Sequence, residues 1–197
     1  MDTLLGLFLG IGLSAACGFR VFVPVFFVGL AHYAGHIELA EGFSWVGEPV
    51  ALWCFGSAMV IEVLAYYIPW LDNLLDTVAT PASVIAGSIL TMGMVGDMTP
   101  FLQWTLGIVV GGGTAAAVQA GTVTLRGMSS ASTGGIANPA ISTGEVAASG
   151  GFVALSVFLP ILGAILALLL VAGVGMLALK MFRRRKKKTF LQDPAMG

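Results

Sequence analysis

Charge is what this chain has least of. Only 10% of its 197 residues are Asp, Glu, Lys or Arg, against about 25% in an ordinary soluble domain. No Lys or Arg occurs anywhere from Val21 to Leu125. Cysteine is scarce as well. Cys17 and Cys54 both fall in apolar stretches and read as small packing residues, not as a disulfide. The sequence contains no nucleotide-binding loop, zinc pattern or Ser-His-Asp set, which argues against an enzyme and against a cofactor. His32 and His36 lie near Glu38 and Glu41, but a metal needs three or four converging ligands, so this region reads as an exposed outer loop.

What fills the chain instead is apolar. Hydrophobic residues make up 57% and the mean hydropathy is +0.96. That composition implies an all-α, polytopic transmembrane helical bundle. Met1 to Leu9 lacks the basic start of a signal peptide and reads as part of a retained span. A single transmembrane domain is expected over 1–182, followed by a basic tail over 183–197. Seven of the nine Lys and Arg residues lie between Lys180 and Lys188. Basic ends stay on the cytoplasmic side, which puts the C-terminus there. The same cations should attract anionic lipid, and nothing else in the chain suits nucleic acid.

Hydropathy divides the domain into about six segments: Thr3 to Leu30, Val50 to Ile68, Pro81 to Val95, Phe101 to Leu125, Pro139 to roughly Gly150, and Phe152 to Met181. The fifth is short for a helix that needs about 20 residues to cross, so it is expected to be a half-helix or re-entrant piece. Six crossings put both termini inside and Arg126 on the inner face. "GLSAA" (12–16) matches "GTAAA" (113–117), and Glu62-Val63 matches Glu145-Val146. Their shared order suggests a duplicated three-segment unit, hence a 3+3 inverted repeat of the kind common in transporters. Recurrence of small residues in any membrane helix explains the same matches.

Gly6, Gly10, Ser14 and Gly18 are spaced by four, as are Gly107, Gly111 and Ala115. Such stripes let helix backbones approach closely; they serve packing within the chain or contact with a second copy in a homo-oligomer. Pro24 cannot bond the carbonyl of Arg20, so a kink is expected there. Thr80-Pro81 and Asn138-Pro139 both read as helix starts.

The few internal charges are the functional candidates. With six crossings, Arg20 falls near the outer surface, within reach of Asp97 or Glu48. Glu62 falls in the inner third, near Arg126 and Glu145. The candidate site is therefore Glu62, Arg126, Asn138 and Glu145, with Asp72 and Asp76 at its rim and Arg20 as a separate outer charge. Acids in excess over arginine suit binding of a cation or relay of protons; a static ion pair that fixes helix register is the structural alternative.

"GFRVFVP", "IEVLAYYIPWLDNLLDTVATPASVIAG" and "STGGIANPAISTGEV" together resemble domain of unknown function 4126, a family of small bacterial membrane proteins. The resemblance covers about Leu5 to Ile165. It implies a bacterial inner membrane and draws attention to Glu62, Pro69, Asp72, Asp76 and Pro81, but it implies no activity. The family tends to carry Glu-Asp where this chain has Glu145-Val146. The expectation is a small transporter or channel-like protein handling an unknown solute or ion, with a non-transporting scaffold as the alternative.

Overall fold

Proline punctuates the chain. The structure, a computed structural model, describes residues 3–192; the side chains of residues 69, 70, 72, 73, 182 and 184–192 lie outside that description. Among the described residues all regular structure is helical. The helices are α1 (Thr3–Phe19), α2 (Phe22–Tyr33), α3 (Pro49–Ala65), α4 (Pro69–Met94), α5 (Pro100–Leu106), α6 (Gly113–Thr133), α7 (Asn138–Phe158) and α8 (Pro160–Gln192). A 3-10 turn covers Glu41–Gly47, and a π-helical turn, Gly107–Gly112, joins α5 to α6. Five of these helices carry proline at their first or second position. There the missing N–H would have had no partner anyway, and the fixed φ suits a helix.

Four helical legs are long and apolar enough to cross a membrane: Leu74–Met94, Pro100–Thr133, Asn138–Phe158 and Pro160–Met181. The number rises to five if the bent pair Glu41–Gly47 and Pro49–Ala65, 60° apart, forms one span. α1 and α2 are shorter apolar helices.

Contacts between small residues set the helix directions. Ser14 Oγ donates to the Gly87 carbonyl at 2.8 Å, and Thr91 Oγ1 to that of Gly10 at 3.2 Å, so α4 runs antiparallel to α1. A Cβ on Gly18 would collide with Val118 and the Ala115 carbonyl, while Gly111 faces Gly87 and Thr91. α6 therefore runs beside α1 in the same direction. Ser149 Oγ donates to the Ala16 carbonyl at 3.0 Å and Ser156 abuts Gly12, which makes α7 antiparallel to α1. Hydroxyl-to-carbonyl bonds of this kind contribute about 0.6 kcal/mol each between membrane helices. Close backbone contact does more, and the two four-residue stripes of the sequence do meet here.

The first hydrophobic segment is not one crossing. The chain reverses at Arg20 and Val21, and α2 returns toward the end where α1 begins. The Ala40 N–H bonds the Gly93 carbonyl at 2.8 Å, and Gly93 packs on Leu39 and Phe43. The loop after α2 therefore sits at the α1-start end of α4. α3 then runs antiparallel to α2, with Gly29 against Leu52 and Gly56 against Phe26. Among the described residues the path has seven helical legs, of which four to five are long and apolar enough to cross a membrane, so the expected six crossings are not confirmed. α1 begins at the end of the bundle opposite to the last turns of α8, so the expectation of both termini on one face fails. Hydropathy could not signal the reversal, because both arms of the V are equally apolar.

The fifth segment is also corrected. α7 spans 21 residues and qualifies as a full-length crossing; the short arm is α2. The small polar stretch after Arg126 is mostly helix, with a tight link at Gly134 and Gly135, whose φ of 64° and 88° suit glycine. Pro81 does not start a helix but lies inside α4, where the Thr80 hydroxyl bonds the Asp76 carbonyl at 2.7 Å. The matching stretches GLSAA and GTAAA fall on α1 and α6, side by side and in one direction, whereas Glu62-Val63 and Glu145-Val146 fall on α3 and α7, which run in opposite directions, so the matches share no one symmetry and the 3+3 inverted repeat is not confirmed. The outer end of the basic tail, 193–197, and the side chains of 184–192 lie outside the described residues.

Candidate functional site

The break between α1 and α2 creates the site. A chain that reverses inside an apolar bundle leaves its first turn of N–H groups without partners. Glu62, one turn from the end of α3, supplies them. Its Oε1 accepts from the Val21 N–H at 2.9 Å and its Oε2 from the Phe22 N–H at 3.0 Å. The helix dipole places partial positive charge at that point. The glutamate in the apolar run thus closes the V between the first two helices.

Arg20 sits at the apex of the V and points the other way along the bundle, into α7. Its Nη2 donates to Glu145 Oε2 at 3.0 Å and to the Ser142 carbonyl at 3.2 Å. Arg126 of α6 reaches the same carboxylate: its Nε lies 3.3 Å from Glu145 Oε1, and its Nη2 lies 2.8 Å from Asp76 Oδ1 of α4. Glu145 therefore bridges two guanidiniums, one oxygen to each. The side chains are shut off from solvent, with relative exposures of 0% for Arg20, 2% for Arg126, 5% for Glu145 and 10% for Asp76.

Tyr66, at the foot of α3, organises the pair. The guanidinium carbon of Arg20 lies 3.7 Å from its ring centroid, and that of Arg126 4.4 Å. Its hydroxyl donates to Asp76 Oδ1 at 3.2 Å, and its carbonyl accepts from Ser142 Oγ at 3.4 Å. A desolvated cation over an aromatic face gains about 2 kcal/mol. The charge of Glu62 also acts on both arginines. Among the described residues, three carboxylates face two guanidiniums, with one carboxylate, Glu62, bonded to the α2 N-terminus.

The structure unites four of the expected residues, Glu62, Asp76, Arg126 and Glu145, and adds Arg20. The reading that held Arg20 apart as an outer charge is overturned. It does not meet Asp97 or Glu48 but sits at the level of Glu62, because the reversal carries the chain back from that level. Asn138 is buried at the start of α7, two turns before Glu145, and its Nδ2 donates to Ser130 Oγ at 3.0 Å. That bond ties the end of α6 to the start of α7. The Asp72 side chain lies outside the described residues. His32 is tied to the Ile37 carbonyl at 2.8 Å and His36 is exposed.

Tyr66 and Ser142 were not legible as members. Their one signal was position, Tyr66 one turn after Glu62 and Ser142 one turn before Glu145.

A family model described as domain of unknown function (DUF4126) matches residues 7–180. No curated protein and no solved structure matches the chain.

Proposed function

The chain belongs to the DUF4126 family, and on that footing we propose that it is a small membrane transporter for a proton or a small cation, seen with its site closed. One observation carries this reading. Five ionisable side chains from separate helical legs meet within the bundle, three carboxylates and two guanidiniums among the described residues, and Glu145 pairs with both arginines. Each such charge costs about 3 kcal/mol to place among lipid tails, so a bundle that only needed to pack would do better with apolar residues. Proton or cation uptake at Glu145 would weaken the ion pairs that tie Arg20 and Arg126 to α7, leaving Arg20 its bond to the Ser142 carbonyl. That is a local change able to bias how α7 sits against α1 and α6. The basic end of α8 favours a cytoplasmic C-terminus in a bacterial inner membrane, and the cluster lies nearer that end.

Proteoliposomes holding the full chain and an internal pH dye, driven by an inside-negative potassium diffusion potential, test the reading. Wild-type vesicles should acidify, or take up sodium or another small cation, faster than empty ones. Glu145→Gln should abolish that difference. Unchanged flux in Glu145→Gln would remove the cluster from the mechanism.

A second reading rests on the ion pairs that Arg126 makes with both Asp76 and Glu145. A closed ion-pair network can serve only to fix helix register in a membrane scaffold. In that case wild-type vesicles show no flux above empty ones, and Glu145→Gln lowers thermal stability alone.

A further inference from the structure

We propose that the groove between α6 and α8 is a binding site for one anionic phospholipid, with an acyl chain in the groove and the headgroup at the basic end of α8. The groove encloses about 490 Å³ and is lined by Phe19, Val118 and Leu125 on one side and Leu170, Val174 and Met181 on the other. Gly121 faces Val174 across its floor, and this missing side chain keeps the two helices close below an open channel. Two threonines in the wall do not make it polar. The Thr122 hydroxyl bonds the Gln119 carbonyl at 2.9 Å and the Thr124 hydroxyl that of Ala120 at 2.7 Å, which ties their polar atoms to their own helix.

Length and charge identify the occupant. From Leu170 to Met181 the groove follows α8 for about 16 Å at 1.5 Å per residue, long enough for most of an acyl chain. It ends at Met181, where the apolar span of α8 also ends. Lys180 and Arg183 are exposed beside that mouth, and the sequence continues in cations to Lys188. A lipid lying in the groove thus brings its phosphate to the membrane surface where cations gather. Each nearby Lys or Arg attracts an anionic headgroup, and a zwitterionic lipid of the same tails gains much less. The groove wall is α6, which carries Arg126 one residue after the lining Leu125, so an occupied groove buttresses the helix that holds the charge cluster.

The test is a titration of the delipidated full chain, in a mild detergent, with phosphatidylglycerol and with phosphatidylcholine of identical tails, read by native mass spectrometry. One phosphatidylglycerol should be retained about tenfold more tightly than phosphatidylcholine. Ala178→Phe, which fills the groove from its exposed rim, should weaken phosphatidylglycerol about tenfold. Lys180→Glu with Arg183→Glu should bring phosphatidylglycerol down to the phosphatidylcholine level and leave the latter unchanged. Leu125→Trp repeats the groove test from the α6 side, again at an exposed position, should Ala178→Phe fail to fold. Equal retention of the two lipids, retention unaffected by both groove-filling variants, or a dimer of the chain that excludes lipid would each overturn the proposal.

Discussion

Arg126 touches Asp76, Glu145 and the ring of Tyr66 at once, and its loss would take a cation from two carboxylates where lipid and protein exclude water. Breaking a buried pair on one side costs about 3–5 kcal/mol. Arg126→Met should lower stability in detergent by that amount, measured by chemical unfolding; stability equal to wild type would show that the acids reach water without it. Tyr66→Leu removes an aromatic face from two cations and a donor from Asp76, and should cost about 2 kcal/mol. Glu62→Ala should cost about 1–2 kcal/mol, the scale of a lost N-terminal cap, because the Val21 and Phe22 N–H groups lose their acceptor. Glu41→Ala, in the exposed turn after α2, should be near neutral by the same measurement.

At the scale of helices, glycine decides what can touch. A Cβ on Gly12 would strike Ser156 and crowd Gly163, whereas Gly113 meets nothing within 4 Å. Gly12→Val should therefore destabilise by about 2–3 kcal/mol. Gly113→Ala, in an open helical position, should be neutral or stabilising by up to about 1 kcal/mol. Melting curves of the two variants in one detergent check this, and equal shifts would show that α1 and α7 do not pack as described. The stripe of Gly6, Gly10, Ser14 and Gly18 was legible because period-four spacing is a local property of one helix. The charges of the site were legible too, since few residues are so costly in oil. Their partners were not. Which acid meets Arg20 depends on the direction of α1 relative to α7, and that depends on a reversal at Arg20 and Val21 that apolar sequence does not encode. Pro24 marked the place but suggested a kink, because proline in a first turn and proline in a bent helix look alike in one dimension. The shortness of the fifth segment misled for a related reason: Gly144, Gly150 and Gly151 dilute hydropathy without ending the helix.

For the whole molecule, the reversal fixes which loops share a face. The loop through Gly42 lies at the end of α4 near Gly93, whereas the α6–α7 link around Gly134 lies at the other end of the bundle. Single cysteines at Gly42 and Ser132, in a chain with Cys17→Ala and Cys54→Ser, should label with a membrane-impermeant maleimide from opposite sides of the vesicle. Labelling of both from one side would contradict the seven-leg path. The V at Arg20 also has a consequence in time. The carboxylate that neutralises Arg20 lies 125 positions further along the chain, so a ribosome delivers the cation to the bilayer long before its counter-ion exists. Until α7 is made, Arg20 lacks the carboxylate it pairs with in the finished fold. Chains truncated ahead of α7 are accordingly expected to be cleared by membrane proteases, while those truncated after it persist.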